Sequence, residues 1–355
     1  MLVINGRLTD QPGMQFVDVS RASPFNEPAF IPVEGCIVRV EDKNGQGVYY
    51  HESLPGVYRA DLDVPFLGVN KAYKLFVRTP NGQEYQSEYD SMFACPPIDS
   101  LYYQIETRET EKPDVTYQGL QFYLDVKGKE GDSRNFLWRL EETFEYRTRY
   151  PIQYFWDGRR VQEYNLPPYS LSRCYMTNAI LKIYTASSRY LTTNELNGYP
   201  LNFVSEGTPK LLRKYSLMVS QYSLSDDAFL YMEKLKTLTS ETGGLYEKQP
   251  ASLGGNIYNV NDPEEQIHGF FYTSQEHEKW IILKNTFDFY IRDFYCPIDT
   301  VDDVDFNNMA VGTYMISLEP EEGVGPPYGS ADQACFDCRL RGGSLEPPDY
   351  WMIDE

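Results

Sequence analysis

The stretch Cys36-Ile37-Val38-Arg39-Val40-Glu41-Asp42, followed by Lys43-Asn44-Gly45, decides the fold. Period-two alternation puts Cys36, Val38 and Val40 on one face of an extended strand, and Asn-Gly readily takes the positive φ angles of a tight hairpin. Cys36 therefore points into a core. Working outward, the first ninety residues repeat this pattern. Strand-like runs at 2–9, 16–20, 48–52, 57–62, 73–78 and 83–88 are cut by turn signals that include Asn81-Gly82. Seven short strands at this spacing predict an Ig-like or prealbumin-like β-sandwich over residues 1–92.

Residues 93–100, with Pro96-Pro97, predict a stiff linker, because proline fixes φ and holds the residue before it extended. Beyond it, residues 101–355 carry strand-like segments at 117–127, 135–149, 173–185, 215–224, 266–274 and 280–287. They predict a larger, mainly β domain with one docked helix at 225–242. Ser225 suits the N-cap, Asp226 and Asp227 suit the positive end of the helix dipole, and Gly243-Gly244 suits the stop. Ala228, Tyr231, Leu235 and Leu238 share the face that a sheet would cover.

A length of 355 residues suffices for two domains, each with its own core. Lys and Arg number 32 against 52 Asp and Glu, and the resulting net charge of -20 argues against nucleic acid as a partner. No apolar run approaches the roughly 20 residues that span a bilayer, and no basic, apolar leader opens the sequence. The 30 Tyr and 19 Phe suit half-buried sheet surfaces, with contact area for a protein or glycan as the sharper alternative reading.

Chemistry has little to draw on. Three histidines, His51, His268 and His277, form no metal or catalytic spacing, and neither a nucleophile elbow nor a phosphate-binding loop occurs. Read as a strand, 138–147 puts Trp138, Leu140, Glu142, Phe144 and Tyr146 on one face and a solvated ladder of Arg139, Glu141, Thr143, Glu145 and Arg147 on the other. Glu142 sits where a glycan hydrolase would keep a buried acid, but no second carboxylate at working distance stands out, so a buried ion pair is the favoured reading. Asp303, Asp305 and Asn307 match the first three ligand positions of a calcium loop. Asn308 and Tyr314 stand where that loop needs Gly and Glu, so a hydrated loop is expected.

Six cysteines, Cys36, Cys95, Cys174, Cys296, Cys335 and Cys338, form an even set that outside the cytosol reads first as three disulfides. Zinc would prefer a second CxxC, and the Pro and Gly around Cys335-Phe336-Asp337-Cys338 speak against thioredoxin-like chemistry. Cys95, just past the last predicted strand of the sandwich, is the nearest candidate partner for Cys36, and a bridge there would pin the linker.

Several stretches in order resemble one family. They are Leu2-Val3-Ile4-Asn5-Gly6-Arg7-Leu8-Thr9-Asp10 with Val19-Ser20-Arg21, then Pro96-Pro97-Ile98-Asp99-Ser100-Leu101, and then residues 215–224. Gln249-Pro250-Ala251, Gly255-Asn256-Ile257 and the Cys335–Gly343 tail complete the set. The chain is similar to the Bacteroidota surface lipoproteins known as domain of unknown function 4249. The resemblance implies export, a lipid anchor on the outer membrane, a TonB-dependent barrel as neighbour, and no established enzymatic activity. It also implies two disulfides among Cys174, Cys296, Cys335 and Cys338, in one of three pairings, with Cys36 and Cys95 particular to this chain. A lipid-bearing cysteine and its leader do not occur in this sequence, so the anchor rests on the resemblance alone. The expectation is a non-enzymatic accessory subunit of a TonB-dependent transporter or another barrel-containing complex, without a cofactor. A free-standing glycan- or peptide-binding protein is the alternative, and a hydrolase using Glu142 comes after it.

Overall fold

The computed structural model describes residues 1–23, 29–112, 114–241, 254–301, 305–318 and 328–352. Nine strands come first: β1 (Leu2–Thr9), β2 (Gly13–Arg21), β3 (Ile31–Pro32), β4 (Ile37–Asp42), β5 (Gly47–Leu54), β6 (Val57–Leu62), β7 (Ala72–Arg78), β8 (Glu84–Ser87) and β9 (Asp90–Ser91). Longer ones follow: β10 (Ile98–Glu109), β11 (Thr116–Lys127), β12 (Asn135–Arg147), the short β13 (Tyr154–Trp156) and β14 (Val161–Glu163), β15 (Arg173–Ser187), β16 (Glu195–Ser205) and β17 (Lys214–Ser223). The helix α1 (Asp226–Glu241) precedes β18 (Ile257–Asn259), β19 (Ile267–His268), β20 (Phe271–Ser274), β21 (Glu276–Lys284), β22 (Asp299–Val301), β23 (Tyr314–Ser317) and β24 (Tyr328–Ser330).

The β4 alternation predicted from sequence is present: Val38 and Val40 are fully buried while Ile37 is exposed. Its turn is set by Asp42, whose carboxylate accepts the backbone N–H groups of Asn44 and Gln46 at 2.9 and 3.0 Å. β5 pairs with β4 along its first half and with β6 along its second, so one continuous sheet folds over into two facing layers. Val17, Val19, Tyr58, Leu62, Leu75 and Val77 from both layers share one core.

That sandwich is not confined to residues 1–92. β19 and β20, which the sequence assigns to the second domain, run parallel along the edge of β1, with Leu2 opposite Ile267 and Gly6 opposite Phe271. β18 extends the other end of the sheet beside β8, and Ile257, Ile267 and Phe271 enter the sandwich core. Two glycines permit the crossing. Gly269 has φ +101 and lies so close to β1 that a Cβ would stand 1.9 Å from the Ile4 carbonyl; a Cβ on Gly255 would stand 1.6 Å from the Gly269 carbonyl.

In the second half, the sheet β10-β11-β16 faces the sheet β15-β12-β17-β21 across a core that includes Phe122, Leu124, Trp138, Leu140, Leu217 and Val219. β10 already begins at Ile98, so the end of the predicted linker is strand. The rest is fastened: Cys95 N–H donates to the Gln275 side chain at 2.8 Å and the Gln221 amide donates to the Pro96 carbonyl at 2.5 Å.

α1 lies on the outer face of the second sheet, where Ala228, Tyr231 and Met232 pack against Leu137 and Tyr222. Ser225 caps it as expected, accepting the Ala228 N–H at 3.2 Å. The predicted stop at Thr242, Gly243 and Gly244 lies outside the described residues. The predicted charge ladder on β12 needs correction, since Thr143 and Glu145 are buried. The chain's last stretch crosses there: the Thr143 hydroxyl bonds with the hydroxyls of Thr177 and Tyr350 at 2.8 Å each. Glu145 is clasped by Arg173 at 3.1 Å and Arg147 at 3.4 Å.

Two disulfides form, Cys174–Cys338 and Cys296–Cys335, and Cys36 and Cys95 are free and buried. The expected Cys36–Cys95 bridge is therefore wrong. Cys36 leads into Ile37, which pairs with Arg78 at one end of β7, while Cys95 follows Ser91, which pairs with Ala72 at the other. A strand of that length separates them by roughly 20 Å, far beyond the ~7 Å Cα limit of a disulfide. No helix among the described residues is long and apolar enough to cross a membrane.

Candidate functional site

β2 carries Met14 and Phe16 on the side opposite its core residues Val17 and Val19, and both are about half exposed. They form one wall of a groove of about 530 Å³, together with Arg7 of β1 and Asp18. Across the groove stand Arg139 of β12 and Ala179, Leu181 and Lys182 of β15; Leu181 is 91% exposed. Phe270, Tyr272 and the helix residues Tyr231 and Leu235 close the inner end. The groove thus exists because the first sheet and the helix-bearing face of the second sheet converge without meeting.

Its electrostatics oppose those of the whole chain. Arg7, Arg139 and Lys182 line it against one carboxylate, Asp18, on a protein of net charge -20. The Arg7 guanidinium stacks 4.7 Å from the centre of the Tyr222 ring, and the Tyr222 hydroxyl donates to Glu276 at 2.5 Å. Burial alone would lower the Arg7 pKa, but Tyr272, Tyr222 and Glu276 outweigh it and hold the group above its ordinary value. Burial pushes the Asp18 carboxyl up. A fixed cation among aromatic rings and flanking apolar side chains can bind an anionic group that carries an apolar body.

The residues singled out from sequence do not gather here. Glu142 is buried between the two sheets, where its carboxylate pairs with the Lys210 ammonium and accepts from the Tyr215 hydroxyl at 3.0 Å. Of the calcium candidates, Asp303 lies outside the described residues, while Asp305 and Asn307 open and close a single 3-10 turn. Among the described residues no group of three or more His, Cys, Asp or Glu is placed to hold a metal. His51, His268 and His277 sit on three different strands, β5, β19 and β21. The two cysteines of the CxxC leave in different directions, to Cys174 and Cys296, so this motif is a double anchor for the tail and not a redox pair. The groove itself carries no local signal, since its lining comes from five separate parts of the chain. The one hint is that Met14 and Phe16 put apolar side chains where a sandwich strand normally turns polar ones to water.

Fold and groove define a two-part, disulfide-bearing β protein with a single helix among its described residues and an open cationic cleft. Residues 1–280 match the model of the family described as Domain of unknown function (DUF4249), and the chain belongs to that family. The match ends within β21, so Cys296, Cys335 and Cys338 lie outside it. No curated protein matches the chain. Among solved structures, trypsin-activated alpha-2-macroglobulin from Escherichia coli is similar at 11% identity and TM-score 0.20, over 64% of this chain. The chain spans only 14% of that protein, and a likeness of this size carries no argument.

Proposed function

We propose that this protein acts by binding outside the cytoplasm, as a non-enzymatic, lipid-anchored outer-membrane surface protein of a Bacteroidota cell. In this reading it is an accessory subunit of a TonB-dependent transporter or another barrel-containing complex. The observation that carries the reading is the pair of disulfides, Cys174–Cys338 and Cys296–Cys335, because such bridges persist in oxidising compartments and are rare in the cytosol. Supporting it, the groove is open and lacks paired catalytic groups, and Glu142 is sealed against Lys210. Membrane complexes isolated from the native host in mild detergent test the proposal. The chain is expected in the outer-membrane fraction, with two bridges intact and a barrel protein co-purifying. Recovery as a lone monomer with reduced thiols would refute it.

A free-standing glycan- or peptide-binding protein is the second reading, favoured by the groove alone. It predicts that the isolated chain binds its ligand as tightly as any complex does, whereas an accessory subunit needs its barrel.

A further inference from the structure

The groove runs beside an unfinished sheet edge. β15 pairs with β12 on one side, and on its other side protein groups bond to its backbone near its two ends. At one end Ser344 closes the edge: Tyr175 N–H donates to the Ser344 carbonyl at 2.8 Å, and Ser344 N–H returns to Tyr175 at 2.9 Å, as an antiparallel bridge. At the other, the Thr185 carbonyl accepts from the Tyr199 hydroxyl at 3.0 Å and the Lys236 ammonium at 3.3 Å. Backbone groups alternate sides along a strand, so Thr177 and Ala179 point their N–H and C=O the same way as Tyr175, away from β12. Among the described residues, no backbone hydrogen bond reaches them on that side. Thr177, Asn178, Ala179, Leu181 and Lys182 are all exposed. Folded proteins usually block such an edge, because it templates the addition of another strand.

We propose that the 177–181 edge is a docking site for an extended, acidic and apolar segment of a partner protein, which adds antiparallel and continues the pairing that Ser344 begins. Alternate side chains of the added strand enter the groove. Apolar ones meet Met14, Phe16 and Leu181, and acidic ones meet Arg139 and Lys182, with Arg7 behind them. Charge selects this occupant: an acidic segment is repelled by a chain of net charge -20 in general, yet here meets three cations and one carboxylate. Backbone pairing supplies affinity and the groove supplies side-chain choice, as in other strand additions. The inference deepens the binding reading and rests on it for the existence of a protein partner, but not for the compartment.

The test uses the whole chain and the blocked octapeptide Val-Val-Glu-Glu-Val-Val-Glu-Glu, either face of which carries both Val and Glu when extended, with two controls: the same peptide N-methylated at alternate amides, and one with Lys for Glu. Hydrogen exchange is expected to show the Thr177 and Ala179 amides protected by the Val-Glu peptide. N-methylation or Ala179→Pro should weaken binding about tenfold or more, through lost backbone bonds, and the Lys peptide should not bind. Proline at 179 removes only an outward N–H, and the peptide controls on the unaltered chain remain decisive if that variant misfolds. Equal binding of the N-methylated peptide, or no protection at millimolar peptide, overturns the proposal. So does a dimer of the chain that Ala179→Pro dissolves, since the edge would then serve a second copy. Failure here leaves the disulfides and the membrane fraction untouched, so it is distinguishable from failure of the functional reading.

Discussion

Replacing Cys174 and Cys338 by alanine cuts a bridge between residues 164 positions apart. By loop-closure entropy, a tie of that span restricts the denatured chain by about 5 kcal/mol at room temperature. The Cys296–Cys335 bridge, spanning 39 positions, lies inside this loop and shortens it, but the logarithm changes little and the figure stays near ~5 kcal/mol. Against a total stability of about 5–15 kcal/mol, this is a third or more. With an m-value of about 2–3 kcal/mol per molar, the urea midpoint should drop by about 2 M. Tryptophan emission isolates the effect, because Trp138, Trp156, Trp280 and Trp351 all lie beyond the linker and none lies in the first sandwich. A loss below about 1 kcal/mol would refute the reasoning, since it would mean that the denatured chain is held compact without the bridge.

Three further outcomes are expected. Lys210→Met leaves the buried Glu142 with only Tyr215 and should cost about 3 kcal/mol, while adding Glu142→Gln should restore most of it; urea midpoints that do not separate the single from the double variant contradict this. Gly269→Ala drives a Cβ into the Ile4 carbonyl at a left-handed φ and should cost about 3 kcal/mol or more. The Gly6 amide, which donates to the Phe270 carbonyl at 3.0 Å, should then exchange faster; unchanged protection refutes the account. Burial pushes the Cys95 thiol from 9.0 up to about 12, so the folded chain holds this proton more tightly than the unfolded one. The resulting stability is fully present below pH 9.0 and fades as pH rises toward about 12. Cys95→Ala should flatten that decline in urea midpoints across the same window, and equal slopes would contradict it.

Local pattern carried the sandwich strands and the helix. β4 is legible because a single face alternates against water, and α1 because Ser225 and the two aspartates mark its start before an apolar stripe. What escaped depends on partners distant in the chain. β19 and β20 read as ordinary strands, but nothing in residues 266–274 says that their neighbour is β1; only the needs of the Leu2–Thr9 edge decide that. Proline at 96 and 97 masked a strand that starts one residue later. The burial of Thr143 and Glu145 depends on a tail that crosses β12 from some 200 positions away. Cysteine pairing follows the position of strand ends, which spacing along the sequence does not contain. The groove is invisible for the same reason, since convergence of two sheets is a property of their docking.

The seating of β19 and β20 against β1 reverses the order of birth and closure. Leu2 meets Ile267, so at a synthesis rate of about 5–20 residues per second the Leu2–Thr9 strand waits for tens of seconds before its flank is covered. Throughout that wait an apolar, unpaired border lies bare on a chain already half made. Any version of the chain that ends before residue 257 is expected to be sticky and incomplete however intact its own strands are.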